Sequence, residues 1–260
     1  MNTFFDKHEI EGKGIKAFMG RIGGKRLLKK RIVDNIFPDD YEDMIYVEPF
    51  VGAGHIYFYK NPSVKEIIND LDKDIIDLLK GMKKFNGERI SNTINGSYTK
   101  QEYKDIIAAH PSSPYGKFIQ LLLRYKLSFY NRGKTFNPPV DGYLNTNYKN
   151  DYNERMKHTS IYNKDFKKLI KKYDSSNTLF YLDPPYENSN NLYTHDTLPI
   201  KDVYDAVKNL KGLFIISYND SKEAKELFKN YNIIKIKTKY SKGKEGGQKH
   251  IKTELIITNY

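Results

Sequence analysis

MIYVEPFVGAGHIYFYK, residues 44–60, decides the fold. Met44, Ile45, Tyr46 and Val47 form the short apolar run of a strand buried on both faces. The run passes through Glu48-Pro49-Phe50 into a turn with glycines at 52 and 54, where absent Cβ atoms let backbone approach a ligand closely. The aromatic stretch from His55 to Lys60 is expected to be a helix. Residues 64–68, VKEII, read as a second strand that ends at Asn69-Asp70, and residues 71–85 carry the period of an amphipathic helix. Strand, glycine turn, helix, strand and acid in that order form the pattern of a nucleotide-binding βαβ unit. Asp70 lies 18 residues beyond Gly52, at a strand end where an acid accepts the hydroxyls of a ribose.

A second stretch carries chemistry. Residues 178–182, TLFYL, read as a buried strand and lead directly into Asp183-Pro184-Pro185-Tyr186. Prolines and aspartate build turns in many proteins, so the tetrapeptide alone fits a turn as well as a site. Its place at a strand's carboxyl end, where open α/β sheets bind ligands, favours the site. These four residues supply the parts for methylating an aromatic exocyclic amine. Such an amine is a poor nucleophile, because its lone pair is delocalised into the ring. A carboxylate (Asp183) and a proline-fixed carbonyl (Pro184) accept its two N–H groups, draw the nitrogen toward tetrahedral geometry and free the lone pair for a methyl sulfonium. Tyr186 is placed to stack on the base.

The 260 residues suit one sizeable α/β domain with a modest insertion. A formal charge of +12 points to a polyanionic partner, and 22 Tyr and 14 Phe interleaved with 44 Lys and Arg add stacking surfaces to that field. Nucleic acid fits best; an anionic membrane surface or plain solubility charge is the alternative. With no cysteine, the chain has no disulfide, no thiolate zinc site and no thiolate for carbon-5 cytosine methylation. The six histidines show no ligand-like grouping, and His55, among aromatics, reads as a packed or capping residue. No apolar run approaches the ~20 residues of a membrane span. A soluble intracellular protein without a metal is the expectation.

Residues 1–16 look like an extension. Residues 16–37 combine a glycine turn with a helix in which Leu27, Leu28, Ile32, Val33 and Ile36 keep a 3.6-residue period. From about 84 to 150 the alternation breaks into helical stretches at 100–109 and 117–130, then a loop or hairpin rich in Asn, Gly, Pro and Tyr. It resumes with a strand at 160–163, the Asp165-Phe166 pair, and a lysine-rich helix. After the 178–182 strand come a helix near 200–210, a strand at 213–217, a helix at 221–229 and strands near 233–238 and 255–258. Residues 242–249, KGKEGGQK, read as an exposed hairpin loop in preference to a phosphate contact.

Taken together, GRIGGKR (20–26), VEPFVGAG (47–54), INDLD (68–72), DPPY (183–186), SYND (217–220) and ELIITN (254–259) resemble the Dam-like DNA adenine methyltransferases, in content and order. The resemblance runs from about residue 17 to the end. It implies a Rossmann-like sheet that takes S-adenosylmethionine (SAM) and releases S-adenosylhomocysteine, with an inserted, mainly helical target-recognition domain. The implied division is an extension at 1–16, a catalytic domain at 17–83 and 151–260, and the insertion at 84–150. It further implies that Lys25 approaches the cofactor and target pocket, Phe50 with Gly52 and Gly54 lines the SAM site, and Asp70 takes the ribose hydroxyls. Asp165 and Phe166 flank the cofactor's adenine, and Asp183 serves both the methionine end and the target amine. Arg21 departs from the family, which has an aromatic residue there; a cation beside a sulfonium is unfavourable unless it points away or pairs with an acid such as Glu48.

Family members insert a hairpin into duplex DNA, and Phe129, Tyr130, Asn131, Arg132 and Asn137 occupy a related stretch. As residues alone they fit a wedge with base-reading groups and a helix end packed on its own domain equally well. The implied partners are double-stranded DNA and a cognate restriction endonuclease acting at the same site. Two other readings stay open: an RNA adenine methyltransferase, and a DNA-binding relative that has lost turnover.

Overall fold

The computed structural model describes residues 15–20, 25–139, 141–149, 151–186, 198–240 and 250–260. They divide into two compact units. One takes Phe37–Gly52, Val64–Gly81 and the described residues from His158 onward; the other takes those up to Ile36, Ala53–Ser63 and Met82–Lys157. The helices are α1 (Lys29–Asn35), α2 (Lys73–Lys84), α3 (Gly87–Ile94), α4 (Lys100–Ala108), α5 (Pro114–Lys126), α6 (Asp151–Met156), α7 (Phe166–Tyr173), α8 (Ile200–Val207) and α9 (Lys222–Leu227).

The first unit is built on a seven-stranded sheet. Its strands are β1 (Ile45–Glu48), β2 (Lys65–Asn69), β3 (Thr159–Tyr162), β4 (Thr178–Leu182), β5 (Leu213–Asn219), β6 (Asn232–Tyr240) and β7 (His250–Thr258), in the order β3-β2-β1-β4-β5-β7-β6. The first five run parallel, and β7 lies antiparallel between β5 and β6. Parallel strands need both faces covered, which explains why β4 is buried along its whole length. On one face Phe180, Leu182, Phe214 and Ile216 pack with Leu169 of α7, Val203 of α8 and Ala224 of α9. On the other, the Phe37 ring lies 6.1 Å from Tyr46 and 6.3 Å from Tyr181. Each such buried side chain stabilises the sheet by about 1.5–3 kcal/mol, giving a rigid platform for the loops at its carboxyl edge.

All the helical elements α1 and α3 to α6 fall in the second unit. Helix α6 stitches distant segments to it. Tyr152 and, just before it, Tyr148 donate to the carbonyls of Lys16 and Phe18, each at 2.7 Å. The buried Arg155 guanidinium stacks 4.0 Å over the Tyr57 ring and donates to the Tyr57 carbonyl at 2.7 Å.

The structure corrects some sequence expectations. The stretch from His55 to Lys60 is a turn: Phe58 and Lys60 N–H groups reach the Gly54 and Ile56 carbonyls at 2.8 and 3.0 Å, and no helix follows. Pro62 disfavours helical backbone at Asn61 and stops it. The helix expected at 117–130 is α5, which starts earlier because Ser113 accepts the Gly116 N–H and Pro114 suits a first turn. It ends at Lys126, ahead of a separate 3₁₀ turn at Phe129–Asn131. Helices α3 and α6 were not expected. Asn86 caps α3 by accepting the Arg89 N–H at 2.8 Å and Ile90 and Ile94 bury one face of it, whereas α6, at six residues, spans too few turns to show a clear apolar period.

His55 is 9% exposed in the second unit. Burial, followed by the charges of Lys29, Arg26 and Lys25, lowers its pKa to about 4. The folded protein therefore binds fewer protons than the unfolded chain between pH 6.5 and 4. Stability rises with pH across that window and is lost on acidification, by about 3 kcal/mol in full. Urea midpoints measured at pH 7, 5.5 and 4 are expected to fall along this course, and His55→Gln is expected to flatten it. An unchanged slope in the variant would show that His55 does not carry the proton.

Candidate active site

Strand order reverses between β1 and β4: β1 is followed outward by β2, and β4 by β5 on the opposite side. Ligands of open α/β sheets bind outside the carboxyl ends of strands at such a reversal. Residues 49–52 leave β1 there, and residues 183–186 leave β4.

The β1 turn is fixed by backbone geometry and an acid. Gly52 has φ 49° and Gly54 φ 74°, the left-handed region that L side chains rarely adopt. The Gly52 N–H donates to Asp70 Oδ2 at 2.8 Å, and Asp70 Oδ1 accepts the Asp72 N–H at 2.9 Å. Asn69 donates to the Pro49 and Lys164 carbonyls and accepts the Lys164 N–H, all at 2.9 Å. Asn163 donates to the carbonyls of Asp70 and Leu71 at 2.8 and 3.0 Å. The loops after β1, β2 and β3 are thus one hydrogen-bonded block. Sequence reasoning did not single out either asparagine; a polar amide at a buried strand end was the available signal.

Phe50 and Phe166 lie 5.0 Å apart, ring to ring. Asp165 caps α7, accepting the N–H groups of Lys167 and Lys168 at 2.8 and 3.3 Å. Glu48 is 2% exposed at the end of β1 and accepts the Tyr46 hydroxyl at 2.7 Å.

At the end of β4, Pro184 is buried while Asp183, Pro185 and Tyr186 are half-buried. The Tyr186 hydroxyl is 3.0 Å from Glu254 Oε2 and 3.3 Å from Asp183 Oδ1, and its ring lies 4.9 Å from Tyr218. Burial, reinforced by the charges of Asp183 and Glu254, raises the Tyr186 pKa well above the usual phenol value. Tyr181 is raised likewise by burial and then Asp183, while its hydroxyl meets Ser217 Oγ at 2.8 Å. Both phenols stay neutral at the carboxylate-bearing end of the sheet. Glu254, from β7, is a member of this group that the sequence reading quoted within ELIITN without assigning it a role.

The structure brings Phe50, Gly52, Asp70, Asp165, Phe166 and residues 183–186 into the sheet unit, along with Glu48. Lys25, 3% exposed, and Gly54 belong to the second unit. Arg21 and the 242–249 loop lie outside the described residues.

The loop after α5 is tightly closed. Phe129 N–H donates to the Thr135 carbonyl and Asn137 N–H to the Leu127 carbonyl, both at 2.8 Å. Ser128 Oγ accepts the Gly133 N–H at 2.6 Å, and Arg124 Nε donates to the Gly133 carbonyl at 3.0 Å. Asn131 takes φ 52°, unusual for a residue with a side chain. Phe129 stands 50% exposed at this closed loop, Arg132 is half-buried and Asn137 is exposed. Phe136 instead packs 5.3 Å from Tyr103.

Among the described residues, no three His, Asp or Glu side chains are grouped to hold a metal ion, and no helix is long and apolar enough to cross a membrane.

A mainly parallel sheet with a glycine turn and acid on one side of its reversal and Asp-Pro-Pro-Tyr on the other defines a Rossmann-like methyltransferase. Residues 22–242 match the family model of the D12 class N6 adenine-specific DNA methyltransferases, and the chain belongs to that family. Its curated relatives include the type II methyltransferase M1.LlaDCHI of Lactococcus lactis subsp. cremoris, 27% identical over 95% of this chain and 96% of that protein. The type II methyltransferase M.CviBI of Paramecium bursaria Chlorella virus NC1A is 24% identical over 92% and 97%. M.MjaIII of Methanocaldococcus jannaschii, also a type II methyltransferase, is 24% identical over 95% and 99%.

Proposed function

We propose that this chain transfers a methyl group from SAM to the exocyclic nitrogen of an adenine rotated out of duplex DNA. The observation that carries the reading is Asp183 in Asp-Pro-Pro-Tyr at the sheet reversal, beside the stitched glycine loop. That loop fits an adenosyl group. Asp70 anchors the Gly52 and Asp72 N–H groups and sets a carboxylate at the strand end where ribose hydroxyls are taken, Gly52 gives close backbone approach, and the half-buried Phe50 offers a ring to a purine with the buried Phe166 packed behind it. Asp165 sets the start of α7 that carries Phe166. Glu48, at the end of β1, belongs with the methionine end.

When bound, SAM supplies a methyl group made electrophilic by its sulfonium and departs as S-adenosylhomocysteine. Asp183 and the Pro184 carbonyl accept the two N–H groups of the target amine, localising its lone pair. Attack by that lone pair would form the N–C bond as the donor's S–C bond broke, with the S–C electron pair staying on sulfur. The extra proton on nitrogen then leaves to the Asp183 carboxylate and solvent. Tyr186 supports the base by stacking, and its neutral hydroxyl does not ionise.

The loop after α5 is the DNA-reading element in this account. Phe129 is the wedge, and Asn131, Arg132 and Asn137 present polar groups to base edges; the Tyr130 side chain lies outside the described residues. Unstacking one adenine costs a few kcal/mol, offset by wedge insertion and by stacking in the pocket. The +12 charge docks phosphates.

Purified protein given tritiated SAM and a choice of unmethylated duplex DNA, RNA and protein is expected to label the DNA. Label in RNA or protein alone would reassign the acceptor. A folded, SAM-binding protein that labels no DNA of any sequence would refute the reading.

A further inference from the structure

We propose that Glu254 is a positioning residue for the methyl-accepting site: it draws the Tyr186 hydroxyl proton away from Asp183, leaving the Asp183 carboxylate to the target amine. The proposal rests on the methyltransferase reading above and assigns a task to a side chain outside the Asp-Pro-Pro-Tyr motif.

The phenol has one proton and two carboxylates in reach. At 3.0 Å, Glu254 Oε2 lies closer to the hydroxyl oxygen than Asp183 Oδ1 at 3.3 Å. O–H···O bonds are strongest near about 2.7–2.8 Å, so the proton goes to Glu254. Neither partner is loose. The Tyr186 ring is held against Tyr218, 4.9 Å away at 61°. Glu254 sits in β7, paired with Asn219 of β5 and Ile236 of β6, and is 6% exposed.

A carboxylate that receives a phenol O–H becomes a weaker acceptor, because the bond withdraws charge from the oxygen the amine needs. Without Glu254's charge in place, the same hydroxyl turns to Asp183. A glutamine at 254 is a poorer acceptor than a carboxylate, and an aspartate sets the carboxylate back by one methylene.

The test is a double-mutant cycle in one assay, transfer from tritiated SAM to unmethylated duplex DNA. Glu254→Gln is expected to lower kcat about 10- to 100-fold while leaving KM for SAM and DNA within about twofold. Adding Tyr186→Phe removes the competing hydroxyl and keeps the ring. The double variant is expected to recover most of the kcat lost in Glu254→Gln, the opposite of additivity. The cycle is run in parallel with Glu254→Asp, so that a folding failure of one variant leaves the other, and the same rescue is expected. Additive losses in a folded pair overturn the proposal, as does a Glu254→Gln enzyme with wild-type kcat. Wild-type protein that methylates no DNA defeats the functional reading itself, whereas active wild type with additive variants defeats only the role of Glu254.

Discussion

Replacing Asp183 with alanine is expected to lower kcat by about a thousandfold, the scale on which enzymes lose rate when a preorganised partner of the reacting group is removed. Asp183 stands just past the end of β4, half-buried, while the strand itself is fully buried. The sheet therefore survives the substitution, and the loss falls on chemistry. Alanine leaves the amine with one acceptor, the Pro184 carbonyl, and its lone pair stays delocalised. Single-turnover transfer from tritiated SAM, with a melting curve as the fold control, measures the effect. A variant within tenfold of wild type would remove Asp183 from the mechanism.

The second large effect is on donor binding. Asp70 holds the Gly52 and Asp72 N–H groups and, in our reading, the ribose hydroxyls. Hydrogen bonds to a charged group contribute about 1.5–3 kcal/mol each, so Asp70→Ala is expected to weaken SAM binding about 100-fold. The left-handed turn at Gly52 loses its anchor in the same change, which loosens the loop before the ligand arrives. Calorimetric titration with SAM gives Kd directly, and kcat at saturating SAM is expected to change far less. An unaltered Kd would place the donor elsewhere.

The sequence exposed the two features that locate the site because both follow buried parallel strands. TLFYL and MIYV are almost wholly apolar and aromatic, since β4 is buried along its length and β1 in all but its first residue, and this pattern marks the strand ends where the chemistry sits. The stitching of the loops was not legible in the same way. Asn69 and Asn163 act on carbonyls 93 to 95 positions away in some of their bonds, and composition carries no trace of such partners. Glu254 was hidden for the same reason. It is 68 residues from Tyr186, and only the insertion of β7 beside β5 brings the two together. The turn at 55–60 misled because aromatic residues suit a buried turn as readily as a helix face, and Pro62 was the stop signal. Phe129 is the converse case: the sequence left it between wedge and packed helix end, and its exposure on a closed loop now favours the wedge in our proposal.

Sequencing of modified adenines in DNA from methylation-deficient cells that express either the wild-type chain or Asp183→Ala tests the central claim most directly. The account predicts N6-methyladenine at one recurring short sequence with the wild-type chain, and its disappearance with the variant at equal protein level. Genomes without modified adenine despite folded wild-type protein, or equally modified by both chains, would contradict it.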